Sequence, residues 1–297
     1  MAWLYGVCGV CLSLLFHAGD SQGIPTAALT ISVRARAIQP GEVLALDITA
    51  AGVLATVTVR AFDRKVVAYP AGDGTWHALV GVDLDVAPGD AVVQADGQLR
   101  GGTAVEGRVV LSVEAREFPT RTLRVAPRFV TPPASASARI ARERAALGRV
   151  FSSVTAAPAW RDPFIVPIPG ALVSGFGVRS IFNNEPRAPH GGADFASPAG
   201  TPVAAPNAGR VVLVDDLYFT GQTVVIDHGA GLQSLFAHLS RTDVHVGDEV
   251  ARGVTVGAVG ATGRATGPHL HWTVRLSGAR VDPLSLVYVT GGQTAAP

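Results

Sequence analysis

The sequence is poor in lysine, in cysteine and in long apolar runs. Lys65 is its single lysine, so almost all of its positive charge is arginine, a bias of composition rather than a signal of function. Its two cysteines, Cys8 and Cys11, both lie in the first apolar stretch. Beyond that stretch there is no thiol. A disulfide framework is therefore excluded there, and a metal site must be built from histidine and carboxylate. The formal net charge is only +1, which leaves no electrostatic footprint for nucleic acid. The apolar stretch Trp3 to Phe16 is short for a membrane span and matches the apolar segment of a signal peptide. No Lys or Arg precedes it, and small residues follow (Ala18, Gly19, Ser21, Gly23). We read residues 1–23 as a signal peptide cut near Ala18 or Gly23, with an uncleaved anchor as the alternative. Val7 and Val10 stand where a small residue would precede a lipidated cysteine, which argues against lipid attachment. The protein is thus expected to be exported, to the periplasm or cell envelope.

What is present is a β-rich chain. Hydrophobic residues make up 48% and charged residues 16%, enough for a sizeable core, and Gly 34 with Pro 20 implies many turns. From Leu29 to about Val125, seven or so short alternating segments are separated by turn signals. That spacing predicts an immunoglobulin-like β-sandwich over 24–128, without a cysteine pair and with Trp76 as its core tryptophan. No cluster of chemically active residues falls in it, so a spacer or substrate-orienting role is the simplest reading. Residues 129–160 read as a linker. Its period changes over Ser135 to Val154, where Ile140, Leu147, Val150, Phe151 and Val154 recur at helical spacing, with Ser137 as a candidate N-cap. From 161 to 290 strands return, among them Ile165 to Ile168, Thr223 to Asp227 and His271 to Arg275. A long polar loop is expected over Ser180 to Pro189. This part predicts an antiparallel sheet curled like a barrel, with a last helix from Pro283 capped by Asp282. The tail 291–297 reads as disordered. The fold class is mainly β.

Six of the eight histidines fall between 190 and 271. His269 and His271 sit at i and i+2 on an apolar stretch, so a strand projects both from one face. His190 and Asp194 have His-x-x-x-Asp spacing. Together they offer three ligands for zinc with one position left for water, and a histidine over for proton transfer. His190, Asp194 and one of His269 or His271 satisfy the need; spacing alone does not choose between the two. His238, at the end of Ser234-Leu-Phe-Ala237, is a candidate general base or acid. His228 reads as structural and His245 as solvated.

His190-x-x-x-Asp194, Phe236-Ala-His238-Leu239-Ser240 and Thr266-Gly-Pro-His269-Leu-His271 together resemble the lysostaphin-type zinc metalloendopeptidases, which cut peptide cross-bridges in bacterial cell walls. Ser174-Gly-Phe-Gly-Val-Arg179 and Asp227-His-Gly-Ala-Gly231 fit the same pattern, and the resemblance covers about residues 170 to 288. It implies His190, Asp194 and His271 as ligands of one Zn(2+) per chain, and His238 with His269 as the catalytic pair. It implies peptidoglycan peptides as substrate, and an arginine-rich chain of this layout resembles exported cell-wall peptidases of Gram-negative bacteria, which act on D-alanyl–diaminopimelate cross-links. A monomer is expected, with membrane or envelope association open. Two departures stand out. Phe236 replaces a tyrosine common in such proteins, and no tyrosine shortly precedes the first ligand, leaving Asn183, Asn184 or Arg179 as substitutes. Asn183, Asn184 and Glu185 are also candidates for an inhibitory side chain over the metal. The competing functions are a non-catalytic regulator of cell-wall amidases, which a complete ligand set disfavours, and a zinc peptidase acting on proteins.

Overall fold

The computed structural model describes residues 28–124 and 130–292. The segment 1–23 read as a signal peptide, both cysteines and most of the C-terminal tail lie outside the described residues. No helix among those described is long and apolar enough to cross a membrane.

Seven strands come first: β1 (Thr30–Arg34), β2 (Val43–Thr49), β3 (Leu54–Ala61), β4 (Arg64–Pro70), β5 (Trp76–Gly81), β6 (Gly89–Leu99) and β7 (Ala104–Val113). They form one sheet in the order β1-β2-β5-β4-β3-β6-β7, every pair antiparallel. The sheet curls until the Leu29 N–H donates to the Glu106 carbonyl of β7 at 2.9 Å. Inside lies an apolar core that includes Leu44, Leu46, Ile48, Val59, Val80 and Val93. Trp76 is only half-buried at the edge of this core, not at its centre.

A short strand, β8 (Thr120–Leu123), leaves this module, and helix α1 (Ser137–Ser152) follows. Ser137 is not the N-cap. A 3-10 turn over Ala134–Ala136 runs straight into α1, Ala136 occupies the cap position, and no side chain caps it. The helix's apolar stripe, Leu147, Val150 and Phe151, packs on Leu213, Leu217, Val225 and Leu235.

The remaining elements are β9 (Ala171–Ser174), β10 (Arg179–Phe182), β11 (Glu185–Pro186), β12 (Ala193–Ala196), β13 (Pro202–Ala204), β14 (Gly209–Leu217), β15 (Gly221–Gly229), β16 (Leu232–Thr242), β17 (Glu249–Val250), β18 (Thr255–Val259), β19 (His269–Leu276), β20 (Ala279–Val281) and α2 (Pro283–Val289). Ten of these strands make a nearly closed antiparallel sheet whose main path runs β17-β14-β15-β16-β19-β12-β9. The segment Ile165 to Ile168, expected as a strand, is irregular. Pro163, Pro167 and Pro169 remove ladder donors there, leaving isolated bonds such as Ile165 N–H to the Pro206 carbonyl at 3.0 Å. Nor is Ser180 to Pro189 one long loop. Phe182 pairs with Glu185, and Asn183 and Asn184 take φ of 49° and 69°, a two-residue hairpin turn of the type asparagine favours. β10 also pairs in parallel with β8, so the chain leaving the first module builds part of the second. Asp282 does cap α2, accepting from the Leu284 N–H at 3.0 Å.

The two modules share one core. Val43, Ala45 and Leu79 of the first pack with Leu276, Ala279 and Val281 of the second. Around that contact runs a polar seam. Arg36 bonds Glu42 at 2.7 Å and Asp282 at 2.8 Å, and the Ser285 hydroxyl donates to Glu42 at 2.7 Å. The first module is therefore packed against the sheet that carries the histidines.

Candidate metal centre and cleft

One face of the large sheet carries the site, and strand period explains why. On β19, Leu270, Trp272 and Val274 point into the core, which leaves His269, His271 and Thr273 on the opposite face. Register then separates the two histidines. In the antiparallel β12–β19 pair, Asp194 lies directly opposite His271 and Ala196 opposite His269. His271 Nδ1 is 2.7 Å from Asp194 Oδ1, while His269 Nε2 is 4.0 Å away. His190 arrives from the loop before β12, its N–H bonded to the Val178 carbonyl at 2.9 Å and its own carbonyl accepting from Gly177 at 2.8 Å. Its Nε2 stands 3.0 Å from both Asp194 Oδ1 and His271 Nδ1.

Three donor atoms thus converge on one point, and His190, Asp194 and His271 are the metal-capable cluster among the described residues. The two histidines are also oriented from behind. His190 Nδ1 lies 2.8 Å from the Gly175 carbonyl, and since a carbonyl only accepts, the proton sits on Nδ1 and Nε2 is left as a lone pair. Thr273 Oγ1, 2.8 Å from His271 Nε2, offers the acceptor that ring needs when Nδ1 is given to a cation. The fit to zinc is close. A tetrahedral ion with bonds of about 2.0–2.1 Å spaces its ligand atoms roughly 3.3 Å apart, and here the spacings are 2.7 to 3.0 Å. Burial raises the pKa of Asp194, but the His190 and His271 rings facing its carboxyl outweigh it and hold the group far below the usual range. Burial lowers the pKa of His271, which favours the neutral, ligating imidazole.

His238 reaches the site by breaking the strand rule. Its neighbour Phe236 is fully buried on the core face. On β16 the pairing with β15 runs Phe236 to Val224 and Leu239 to Gln222, so two residues, Ala237 and His238, oppose one. This is a β-bulge, with His238 at φ 62° in the left-handed region, and it re-aims the ring into the cleft. Strain of this kind is kept only where the surroundings enforce it. Here the His238 N–H is tied to the Thr220 carbonyl at 2.7 Å and its Nδ1 to the Thr262 carbonyl at 2.8 Å. Burial lowers its pKa to about 4, so it is neutral at pH 7. The rings of His238 and His269 stand 4.8 Å apart, and His269 Nδ1 is tied to the Gly267 carbonyl at 2.8 Å. Both histidines therefore keep a bare Nε2.

All five residues line one open cleft of about 510 Å³. The β8–β10–β11 sheet forms a wall of it. Register pairs Arg121 with Ser180 and Leu123 with Phe182, and these four line the cleft together. On the same wall Arg187 and Ala188 take part, whereas Asn183, Asn184 and Glu185, the candidate inhibitory side chains, do not line it. Arg179 is exposed on the other face of β10. His228 is fully buried, with Nδ1 2.8 Å from the Ala208 carbonyl and Nε2 3.0 Å from Ser234 Oγ, a structural residue. His245 is solvated, its side chain 92% exposed. Sequence reasoning missed Arg121, Arg187 and Arg264 of the cleft. Only the parallel β8–β10 pairing, which no local pattern announces, brings Arg121 to it, while the Arg187 N–H is tied to the Ser180 carbonyl at 2.8 Å.

A nearly closed antiparallel sheet with two histidines and an aspartate converging at an open cleft defines a metal-dependent hydrolase class, and comparison with known proteins is specific. Residues 188–283 match the model of Peptidase family M23. A Pseudomonas aeruginosa crystal structure described as a peptidase M23 is 33% identical and covers 85% of this chain and 96% of its own, with a TM-score of 0.64. The chain belongs to peptidase family M23. Peptidoglycan DD-endopeptidase ShyA of Vibrio cholerae is 43% identical over 97 residues, 33% of this chain and 23% of that protein. DD-carboxypeptidase/endopeptidase Mpg of Neisseria meningitidis is 41% identical over 107 residues, 36% of this chain and 25% of that protein. The matched segment thus spans about a quarter of each of these two curated relatives.

Proposed function

We propose that the chain is an exported zinc-dependent endopeptidase that hydrolyses amide bonds in peptidoglycan cross-links of the D-alanyl–diaminopimelate type. The observation that carries this reading is the convergence of His190, Asp194 and His271 beside His238 and His269 on the floor of one cleft. A donor set of two imidazoles and a carboxylate, without thiolate and with its fourth side toward the cleft, suits catalytic zinc. Zinc held by these three residues would supply a Lewis acid and a water of pKa about 7. The pair His238 and His269 does the proton work. His238, neutral with its Nε2 free, takes the proton of the attacking water. His238 then passes that proton to the leaving amine, with the His269 ring 4.8 Å from its own beside it in the cleft. The names of ShyA and Mpg support the substrate class. Export, a monomeric state, the immunoglobulin-like character of the first module and the boundaries 24–128, 129–160 and 161–290 belong to the same proposal.

Digestion of cross-linked muropeptides by the purified chain tests it. Cleavage is expected, lost with a chelator and restored by zinc. His238→Asn, chosen because asparagine tolerates the left-handed backbone, should lower cleavage about 100-fold or more while zinc stays bound. Stoichiometric zinc without cleavage would overturn the function. Loss of zinc from His238→Asn would overturn the assignment of roles.

A further inference from the structure

The cleft holds three arginines, Arg121, Arg187 and Arg264. Asp194 is the one acid among the described residues that line it, and its carboxylate faces the two ligand histidines. An active-site cleft so lined attracts anions before any contact forms. The guanidinium groups are also held in place. Arg264 lies over the Phe219 ring at 4.6 Å, and Arg187 over the Phe182 ring at 5.8 Å. Arg121 Nε donates to Ser180 Oγ at 3.0 Å. Arg187 reaches Glu185 at 2.8 Å through Nη2, yet its Nε is buried with no partner. Burial, and then the charge of Arg187, lower the pKa of Arg264, so the two cations feel each other. Two mutually repelling guanidinium groups, each set on an aromatic ring beside the ligand cluster, match a planar carboxylate.

The geometry points to a carboxylate-binding subsite formed by Arg187 and Arg264 with Arg121 beside them, and to a substrate that carries a free carboxylate next to the scissile amide. This rests on the peptidase reading above and narrows it. In a D-alanyl–diaminopimelate link, the carbon bearing the amide nitrogen also bears a free carboxylate. A glycine bridge or a carboxamide derivative offers none at that place.

Two cross-linked muropeptide dimers separate the possibilities, one with that carboxylate free and one with it amidated. The zinc-loaded full chain is expected to cleave the free form with kcat/KM about ten- to a hundredfold higher, the range of one or two charge-assisted hydrogen bonds. Arg264→Gln and Arg187→Gln should each bring that ratio toward one. Arg264→Lys, which keeps the charge but not the fork, should keep part of it. Circular dichroism and zinc content show that each variant is folded and loaded. Calorimetric binding of both dimers to His238→Asn gives the same ratio without turnover. Equal cleavage and equal binding of the two dimers by the parent chain would overturn the subsite and leave the endopeptidase standing. A ratio unchanged in both glutamine variants would also overturn it. Preferential binding of the free form with cleavage of neither dimer would uphold the subsite and overturn the endopeptidase.

Discussion

Thr273→Val asks how the centre keeps Nδ1 of His271, the nitrogen proposed to bind metal, bare. Thr273 lies two residues beyond His271 on the same strand face, with its hydroxyl 2.8 Å from Nε2. Valine keeps the shape and removes the hydroxyl, and at 8% exposure water replaces it poorly. When the hydroxyl accepts Nε2–H, Nδ1 is a lone pair facing Asp194 Oδ1 at 2.7 Å and His190 Nε2 at 3.0 Å. Such an arrangement is repulsive without a cation and attractive around one. With valine at 273, the ring settles with Nδ1–H donating to Asp194. Binding metal must then push the proton back to an Nε2 that has no acceptor, which costs about 1–3 kcal/mol. Zinc affinity should therefore fall about ten- to a hundredfold, or about 1.4–2.7 kcal/mol. Competition against a chromophoric chelator measures this directly, with Thr273→Ser as the variant that keeps the hydroxyl and near-parental affinity. If Thr273→Val binds zinc within twofold of the parent, the orienting role of Thr273 is wrong.

Two further outcomes concern the frame around the site. Burial raises the pKa of Asp83, but hydrogen bonds from the Arg280 side chain and backbone outweigh it and lower the value to about 2. A depressed carboxylate contributes its stability above its ordinary value of 3.8 and loses it as pH falls through about 2. Asp83→Asn should accordingly cost about 2 kcal/mol in urea unfolding at pH 7, with the gap to the parent closing between pH 4 and pH 2; a gap independent of pH would sink the claim. Gly192→Ala places a Cβ 2.3 Å from the Trp272 carbonyl, between the two strands that carry Asp194 and His271. It should lower the unfolding free energy by more than about 2 kcal/mol in a denaturant titration and weaken zinc binding with it, whereas a neutral effect would mean β12 and β19 pack more loosely than they do here.

Much of the molecule was legible because its signals are local. Period-two alternation marks the strands, and the switch to helical spacing marks α1. Asp282 before Pro283 announces α2. The failures are also physical. Ile165 to Ile168 has the apolar content of a strand, but its flanking prolines deny it a ladder. Ser180 to Pro189 looks like a loop because asparagine pairs mark turns, and only the partner strand shows that the turn is tight. Ser137 has the chemistry of a cap, yet the 3-10 turn before it already supplies the first bonds.

The sequence by itself determined that His269 and His271 share a face, because side-chain direction on a strand depends only on parity. It determined as well that any metal here is held by imidazole and carboxylate, because no thiol lies beyond the first apolar stretch. Which histidine meets Asp194 is a matter of register, a non-local pairing that the family resemblance anticipated and that local spacing left open. The tertiary structure decided the rest. A bulge turned His238 from the core to the cleft, and a parallel pairing between β8 and β10 brought Arg121 into the cleft wall. Both depend on strands meeting across the fold, where the energy of pairing overrides what each segment prefers alone.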